Sequence, residues 1–202
     1  MIKNIVFDMG NVLICYDTRK YIDLYVEDKE DGDLLLKEVF GSKEWLSMDR
    51  GIMTSEDAIK SICNRTPKRT HENVKKLIDN WHKDIPPYPE VEELVKRLKQ
   101  AGYKIYLLSN TSVKYHQFKV KIPALRYFDG EFISADWKLL KPEKEIFLTF
   151  YDHFKLKAEE CYFIDDSSAN IIAANETGMI GFVYNKDINK LIEDMEKNNI
   201  EI

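Results

Sequence analysis

The run Ile2-Lys3-Asn4-Ile5-Val6-Phe7-Asp8-Met9-Gly10-Asn11 decides how this chain folds. A short β-branched and apolar stretch stops on a carboxylate, which reads as a strand ending at Asp8. An apolar N-terminus is also the mark of a secretion signal. Here Asp8 interrupts the run and no small-residue cleavage site follows, so the segment is read as a core strand.

Working outward, four more runs of the same kind follow: Tyr103–Leu108, Glu131–Ser134, Cys161–Ile164 and Ile180–Tyr184. The run Tyr103–Leu108 ends at Ser109 and the run Cys161–Ile164 at Asp165. Helical patterns lie between them. Pro89 suits a first helical position, Val91, Leu94, Val95 and Leu98 share one face, and Gly102 is a natural stop. Pro142 is expected to open a further helix through Ile146, Phe147 and Phe150. Ser167 or Ser168 is expected to cap another, which ends at Gly178. Alternating strands and helices predict an α/β fold with a mainly parallel sheet covered by helices.

Residues 16–85 break this alternation. They contain no convincing strand, a capping-box pattern at Thr54-Ser55-Glu56-Asp57, and a helical pattern over His71–Trp81. Pro86-Pro87-Tyr88-Pro89 returns the chain stiffly to strand and helix. The expected organisation is therefore a core of residues 1–15 and 86–202, with a helical cap, 16–85, inserted after the first strand.

Composition narrows the function classes. With 44% apolar and 32% charged residues the chain falls among ordinary globular proteins, and its net charge of −5 offers no basic footprint for nucleic acid. Lys114, Lys119 and Lys121 form only a loose group, read as solvated surface. No apolar stretch approaches the ~20 residues of a spanning helix. Cys15, Cys63 and Cys161 are scattered and odd in number, which suggests a reducing cytoplasm and buried thiols. The four histidines lack zinc-ligand spacing.

The chemistry gathers at strand ends. Asp8, Ser109 and the pair Asp165-Asp166 each follow a strand pattern at its carboxyl end, where open α/β sheets bind ligands. An aspartate can attack phosphorus and divide one displacement into two. It needs its charge neutralised, which suits a hard cation such as Mg²⁺ held by several oxygens. Adjacent acids such as Asp165-Asp166 repel each other unless a cation sits beside them.

The strings Phe7-Asp8-Met9-Gly10-Asn11-Val12, Leu107-Leu108-Ser109-Asn110-Thr111, Lys141-Pro142-Glu143 and Phe163-Ile164-Asp165-Asp166 resemble, in order and spacing, the four motifs of the haloacid dehalogenase superfamily. The strings around them look most like its bacterial sugar-phosphate phosphatases, including the α-D-glucose-1-phosphate type. The resemblance spans essentially the whole chain. It implies a Rossmann-like three-layer core, a small phosphorylated metabolite as substrate, and Mg²⁺ as cofactor. It further implies Asp8 as nucleophile and metal ligand, with the Gly10 carbonyl and Asp166 as further ligands. Asp165 would ligate the metal or orient its water. Ser109 and the Asn110 amide would hold phosphate oxygens, and Lys141 would neutralise Asp8 and phosphate together.

One position departs from that pattern. Most phosphatases of the superfamily carry a second aspartate two residues past the nucleophile as general acid and base, and here the residue is Gly10. Three accounts stand: a good leaving group such as a sugar-1-phosphate; a proton donor elsewhere, for instance Asp17 or a cap residue; or a different reaction. Asp17 is equally placed to cap a helix from Thr18. A 2-haloacid dehalogenase lacks the second aspartate but uses no metal, and a weakly catalytic sensor would keep the fold alone. In the cap, Trp45, Asp49 and Arg50 beside Gly51 are candidate substrate contacts, as is His116 on the loop after Ser109.

Overall fold

The computed structural model describes residues 1–202. Its five strands are β1 (Asn4–Phe7), β2 (Lys104–Ser109), β3 (Gly130–Ile133), β4 (Cys161–Asp165) and β5 (Ile180–Val183). Every pairing is parallel, in the order β3-β2-β1-β4-β5. The chain steps outward from β1 through β2 to β3, then crosses back to the far side of β1 for β4. The switch point of the fold therefore lies between β1 and β4, where ligands bind in such sheets.

Register puts Phe7 opposite both Leu107 and Ile164, and the Asp8 amide donates to the Ile164 carbonyl at 2.8 Å. Asp8 and Asp165 thus emerge side by side. Along β1 the side chains alternate in the two-residue period of a strand. Ile5 and Phe7 pack in one apolar cluster with Val91, Leu94, Val95 and Leu98 of α6 (Pro89–Gln100) and with Leu191 and Met195 of α11 (Ile188–Lys197). Val6 points the other way, toward Ile146, Phe147 and Phe150 of α9 (Lys144–Phe154) and Ala174 of α10 (Ser168–Glu176). Each large side chain buried in these layers stabilises the fold by about 1.5–3 kcal/mol. The structure thus has the α/β, mainly parallel, three-layer core expected from the sequence.

Between β1 and α6 the chain forms no strand and its main elements are helices: α1 (Thr18–Tyr25), α2 (Lys29–Leu35), α3 (Lys43–Asp49), α4 (Ser55–Cys63) and α5 (His71–Asn80). Thr54 caps α4 as expected, accepting from the Asp57 amide at 3.1 Å. Two short helices, α7 (Tyr115–Phe118) and α8 (Ser134–Trp137), lie on the loops after β2 and β3. The helical insertion rests on the carboxyl end of the sheet. Arg50 pairs with Glu143, and the Ser134 hydroxyl donates to the Asp49 carbonyl at 2.5 Å. Gly51 turns at φ +73°, where a Cβ would lie 2.1 Å from the Ala135 carbonyl oxygen, so only glycine permits this approach.

Two helix starts differ from expectation. Pro142 does not open α9, which begins at Lys144, because Lys141 is clamped on both sides. Its amide donates to the Asn110 side chain and its carbonyl accepts from it, each at 2.9 Å. Ser167 occupies the cap position of α10, but its hydroxyl caps nothing. Its amide donates instead to Asp165 Oδ1 at 2.8 Å. Strand termini differ from the sequence reading by two residues at most.

Candidate active site

Asp8, Asp165 and Asp166 converge where β1 and β4 end, with one carboxylate oxygen from each lying within 4.8 Å of the others. Lys141 reaches in from the segment before α9. Its ammonium donates to Asp8 Oδ1 at 2.8 Å, Asp165 Oδ2 at 2.6 Å and the Leu108 carbonyl at 2.8 Å. All three donors of the lysine are used, and the side chain is only 1% exposed. Burial works against its charge, but Asp165 and Asp8 outweigh that and hold its pKa above the ordinary value.

The acids are not equivalent. Asp165 is fully buried and, besides Lys141, accepts from the Ser167 amide and from Asn170 Nδ2. It is fixed in place by these bonds. Asp166 is exposed at the rim, and its Oδ2 accepts from Asn11 Nδ2 at 3.0 Å. Burial, then the Asp165 charge, push Asp166 upward against that bond. Asp8 is pushed up to about 7, first by burial and then by Asp165, against the pull of Lys141. Three carboxylates around a single ammonium leave an excess of negative charge, the condition a divalent cation relieves. The Gly10 carbonyl, which accepts no hydrogen bond, adds a free oxygen beside them. This donor set of hard oxygens fits Mg²⁺.

The loop after β1 arranges these groups locally. The Met9 carbonyl accepts from the amides of Val12, Leu13 and Ile14, closing a tight turn in which Asn11 takes φ +55°. That turn leaves the Gly10 amide without an acceptor. Across the site, the Asn110 amide likewise donates to no protein group, and the buried Thr111 hydroxyl has no partner. The Gly10 and Asn110 amides are thus free donors on residues that line one cavity. Ser109 ends β2 at 1% exposure, and its hydroxyl forms no protein hydrogen bond.

Above this floor is a cavity of about 610 Å³. Its far wall comes from the helical insertion and from Tyr16. Trp81 stands edge-on to Tyr16 at 5.7 Å and to Trp45 at 5.8 Å, while Phe40 lies 4.7 Å from Trp45. Among the lining residues there is no Lys, Arg or His. Asp49, half-buried at the end of α3, also lines it. Burial pushes the Asp49 carboxyl up to about 7, against the Ser112 amide and the Trp45 side chain.

Of the sequence candidates, the structure brings together Asp8, Gly10, Asn110, Lys141, Asp165, Asp166 and Trp45, with Asp49 on the far wall. Three others lie elsewhere. Asp17 caps α1, its Oδ1 accepting from the Arg19 and Lys20 amides at 3.0 and 3.2 Å. Arg50 is held by Glu143 in place of a substrate, and exposed His116 is held by Asp136 at 3.0 Å. Arg50 and His116 are taken up by partners that local sequence does not reveal, whereas Asp17 fills the capping role its position before Thr18 already offered. Sequence reasoning passed over Asn11, Thr111, Tyr16 and Trp81. The first two sit inside the recognised motifs, so adjacency was the available signal. Trp81 had none beyond a helical pattern.

Comparison with known proteins agrees with this geometry. Residues 2–178 match the haloacid dehalogenase-like hydrolase family. A sesquiterpene phosphatase of Aspergillus oryzae is 26% identical over 180 residues, covering 89% of this chain and 88% of its own. A D-ribitol-5-phosphate phosphatase of Bacteroides thetaiotaomicron is 26% identical over 194 residues, covering 90% and 91%. A crystal structure of a family enzyme from the same bacterium, in complex with magnesium and inorganic phosphate, superimposes with TM-score 0.73 at 24% identity over 95% of this chain and 99% of that one. The chain belongs to the haloacid dehalogenase-like hydrolases and resembles the phosphatases among them.

Proposed function

We propose that this protein is a Mg²⁺-dependent phosphatase that hydrolyses a small phosphorylated metabolite through an aspartyl-phosphate on Asp8. The observation that carries this reading is the Lys141 ammonium bridging Asp8 and Asp165 beneath a cavity rimmed by Asp166. Asp8 Oδ attacks phosphorus, and the P–O bond to the leaving group breaks. Lys141 keeps the attacking carboxylate oriented and offsets charge, while the free Gly10 and Asn110 amides receive non-bridging oxygens. The Ser109 hydroxyl, unpaired at the end of β2, joins them as the sequence motif implies. Mg²⁺ held by Asp8, Asp166 and the Gly10 carbonyl, with Asp165 behind them, would neutralise nucleophile and phosphate together. Residues 16–85 serve as the cap, excluding water from the reacting centre.

For the leaving group we propose a neutral alcohol, with a sugar or polyol phosphate first. A cavity without cationic side chains selects against a second anionic group. Its aromatic wall offers a flat apolar surface to one face of a sugar ring, and a D-ribitol-5-phosphate phosphatase is among the relatives. The same wall, with the sesquiterpene phosphatase relative, favours a second reading in which the alcohol is wholly apolar. The three cysteines are free, which is in keeping with a cytoplasmic setting. Only Cys161 is buried, whereas Cys15 and Cys63, expected to be so, are half-buried.

The test is phosphate release from p-nitrophenyl phosphate with Mg²⁺ or with chelator, then from a panel of sugar, polyol and prenyl phosphates. Asp8→Asn is expected to lower turnover about 10⁴-fold or more, and chelation to stop it. Hydrolysis that survives Asp8→Asn would refute the reading. Metal-free chloride release from a 2-haloacid would replace it with dehalogenation.

A further inference from the structure

The proton of the leaving group has no evident source at position 10. Gly10 presents no side chain, and the site its Cβ would fill faces Tyr16, whose Cβ lies 3.5 Å away. Poor leaving groups such as aliphatic alcohols need a proton as the P–O bond breaks, so a donor must stand elsewhere in the cavity. Of the acidic groups lining it, Asp8 and Asp166 belong to the anionic floor. Asp49 is the remaining one, and it is carried by α3 of the helical insertion, apart from the anionic floor.

We propose that Asp49, carried by α3 of the helical insertion, is the general acid of the reaction in place of the side chain missing at Gly10. The inference rests on the phosphatase reading above.

Three observations support it. First, no cation stands beside the Asp49 carboxyl to hold it ionised, since the next residue, Arg50, is committed to Glu143. Second, it is held firmly although it belongs to the insertion. The Ser134 hydroxyl grips its carbonyl, and Gly51 seats against Ala135 with no room for a side chain. Such ties fix a catalytic group relative to a nucleophile on another element. Third, its surroundings favour the protonated form. The Trp45 and Trp81 rings and the Tyr16 phenol line the same wall, and burial outweighs the Ser112 amide so that the carboxyl titrates near neutrality. The Tyr16 phenol, pushed upward by burial and by the Asp49 charge, stays neutral beside it.

The steps balance. Asp8 Oδ forms a bond to phosphorus as the ester P–O bond breaks. The electron pair goes to the leaving oxygen, which takes the Asp49 proton and departs as the alcohol. Water then attacks the phosphorus of the aspartyl-phosphate and gives its proton to the Asp49 carboxylate. The bond to Asp8 breaks, and phosphate leaves with both side chains restored.

A leaving-group comparison tests this. In Asp49→Asn, kcat/KM should fall about 10²–10⁴-fold for the best aliphatic-alcohol phosphate of the panel. It should fall less than about tenfold for p-nitrophenyl phosphate, whose phenolate leaves without a proton. Equal losses on both esters, or no loss on either, would overturn the proposal by reducing Asp49 to a structural acceptor for the Ser112 loop. Circular dichroism checks the fold of the variant. Should it not fold, the wild type decides: a working donor keeps the aliphatic ester within about 10³-fold of the aryl ester, and a wider gap rejects it. If wild-type protein released no phosphate from any ester, the phosphatase reading itself would fall. If release depends on Asp8 but not on Asp49, only this proposal does.

Discussion

The floor and the far wall of the cavity solve different physical problems. On the floor, a buried lysine and two buried aspartates share hydrogen bonds of 2.6–2.8 Å, and Asp165 accepts two further donors from the turn that follows it. Burying such charges is tolerable only with nearly every partner present. The wall is built from Tyr16, Phe40, Trp45 and Trp81, which meet edge-on and tilted at 4.7–5.8 Å. It requires volume and apolarity, and most of its contacts are non-directional. The floor therefore fixes residue type and spacing along the chain, while the wall fixes only what kind of residue arrives there. Floor variants should damage chemistry and wall variants should damage substrate binding.

The largest effect is expected at the floor, in Lys141→Ala. Removing the ammonium leaves Asp8 and Asp165 facing each other in a buried site. The predicted cost is about 3–5 kcal/mol of stability and about 10²–10³-fold in kcat/KM. The two carboxylates relieve their repulsion by taking up a proton. The Asp8 pKa, already raised, rises further in the variant, so the stability deficit should be larger at pH 8 than at pH 5. Denaturant unfolding at both pH values checks this, and a deficit independent of pH would break the picture of an ionically balanced floor.

Next comes the wall, in Trp81→Ala. Trp81 is 5% exposed and touches Tyr16, Tyr21, Trp45 and Phe118. Its truncation should cost about 3–5 kcal/mol, with KM for the preferred substrate raised and kcat for p-nitrophenyl phosphate held within about tenfold. A loss of kcat as deep as that of Lys141→Ala would erase the distinction between the two regions.

The same contrast explains what was legible in the sequence. A strand that stops on a carboxylate, as at Asp8 and Asp165, carries both fold and site in one short string, because parallel register aligns the strand ends. Lys141 follows no strand, and was legible only because Lys141-Pro142-Glu143 resembles a family motif. The insertion was readable as helices, through Thr54 and the periodicity of α5, but its functional residues were not. Arg50 and His116 stood out by chemistry and neighbourhood alone. Their partners Glu143 and Asp136 are distant in sequence, and nothing local forecasts such pairings. Trp81 and Tyr16 reach the cavity through tertiary packing that leaves no motif.

Asp17 offers the smallest and sharpest test, because it is close to the nucleophile in sequence and remote from it in role. Its carboxylate sits at extended φ −123°, ψ 98° and accepts from two amides of the first turn of α1, so it satisfies donors that a helix start leaves orphaned. Asp17→Ala should cost about 1 kcal/mol, a fall in melting temperature of about 2–4 °C for a chain of this size, with kcat/KM unchanged within about twofold on aryl and aliphatic esters alike. Asp17→Asn retains the capping oxygen and should recover most of that stability. If the aliphatic ester alone suffered in both variants, Asp17 would be supplying the proton, and the acid would have to move from the wall of the cavity to the start of α1.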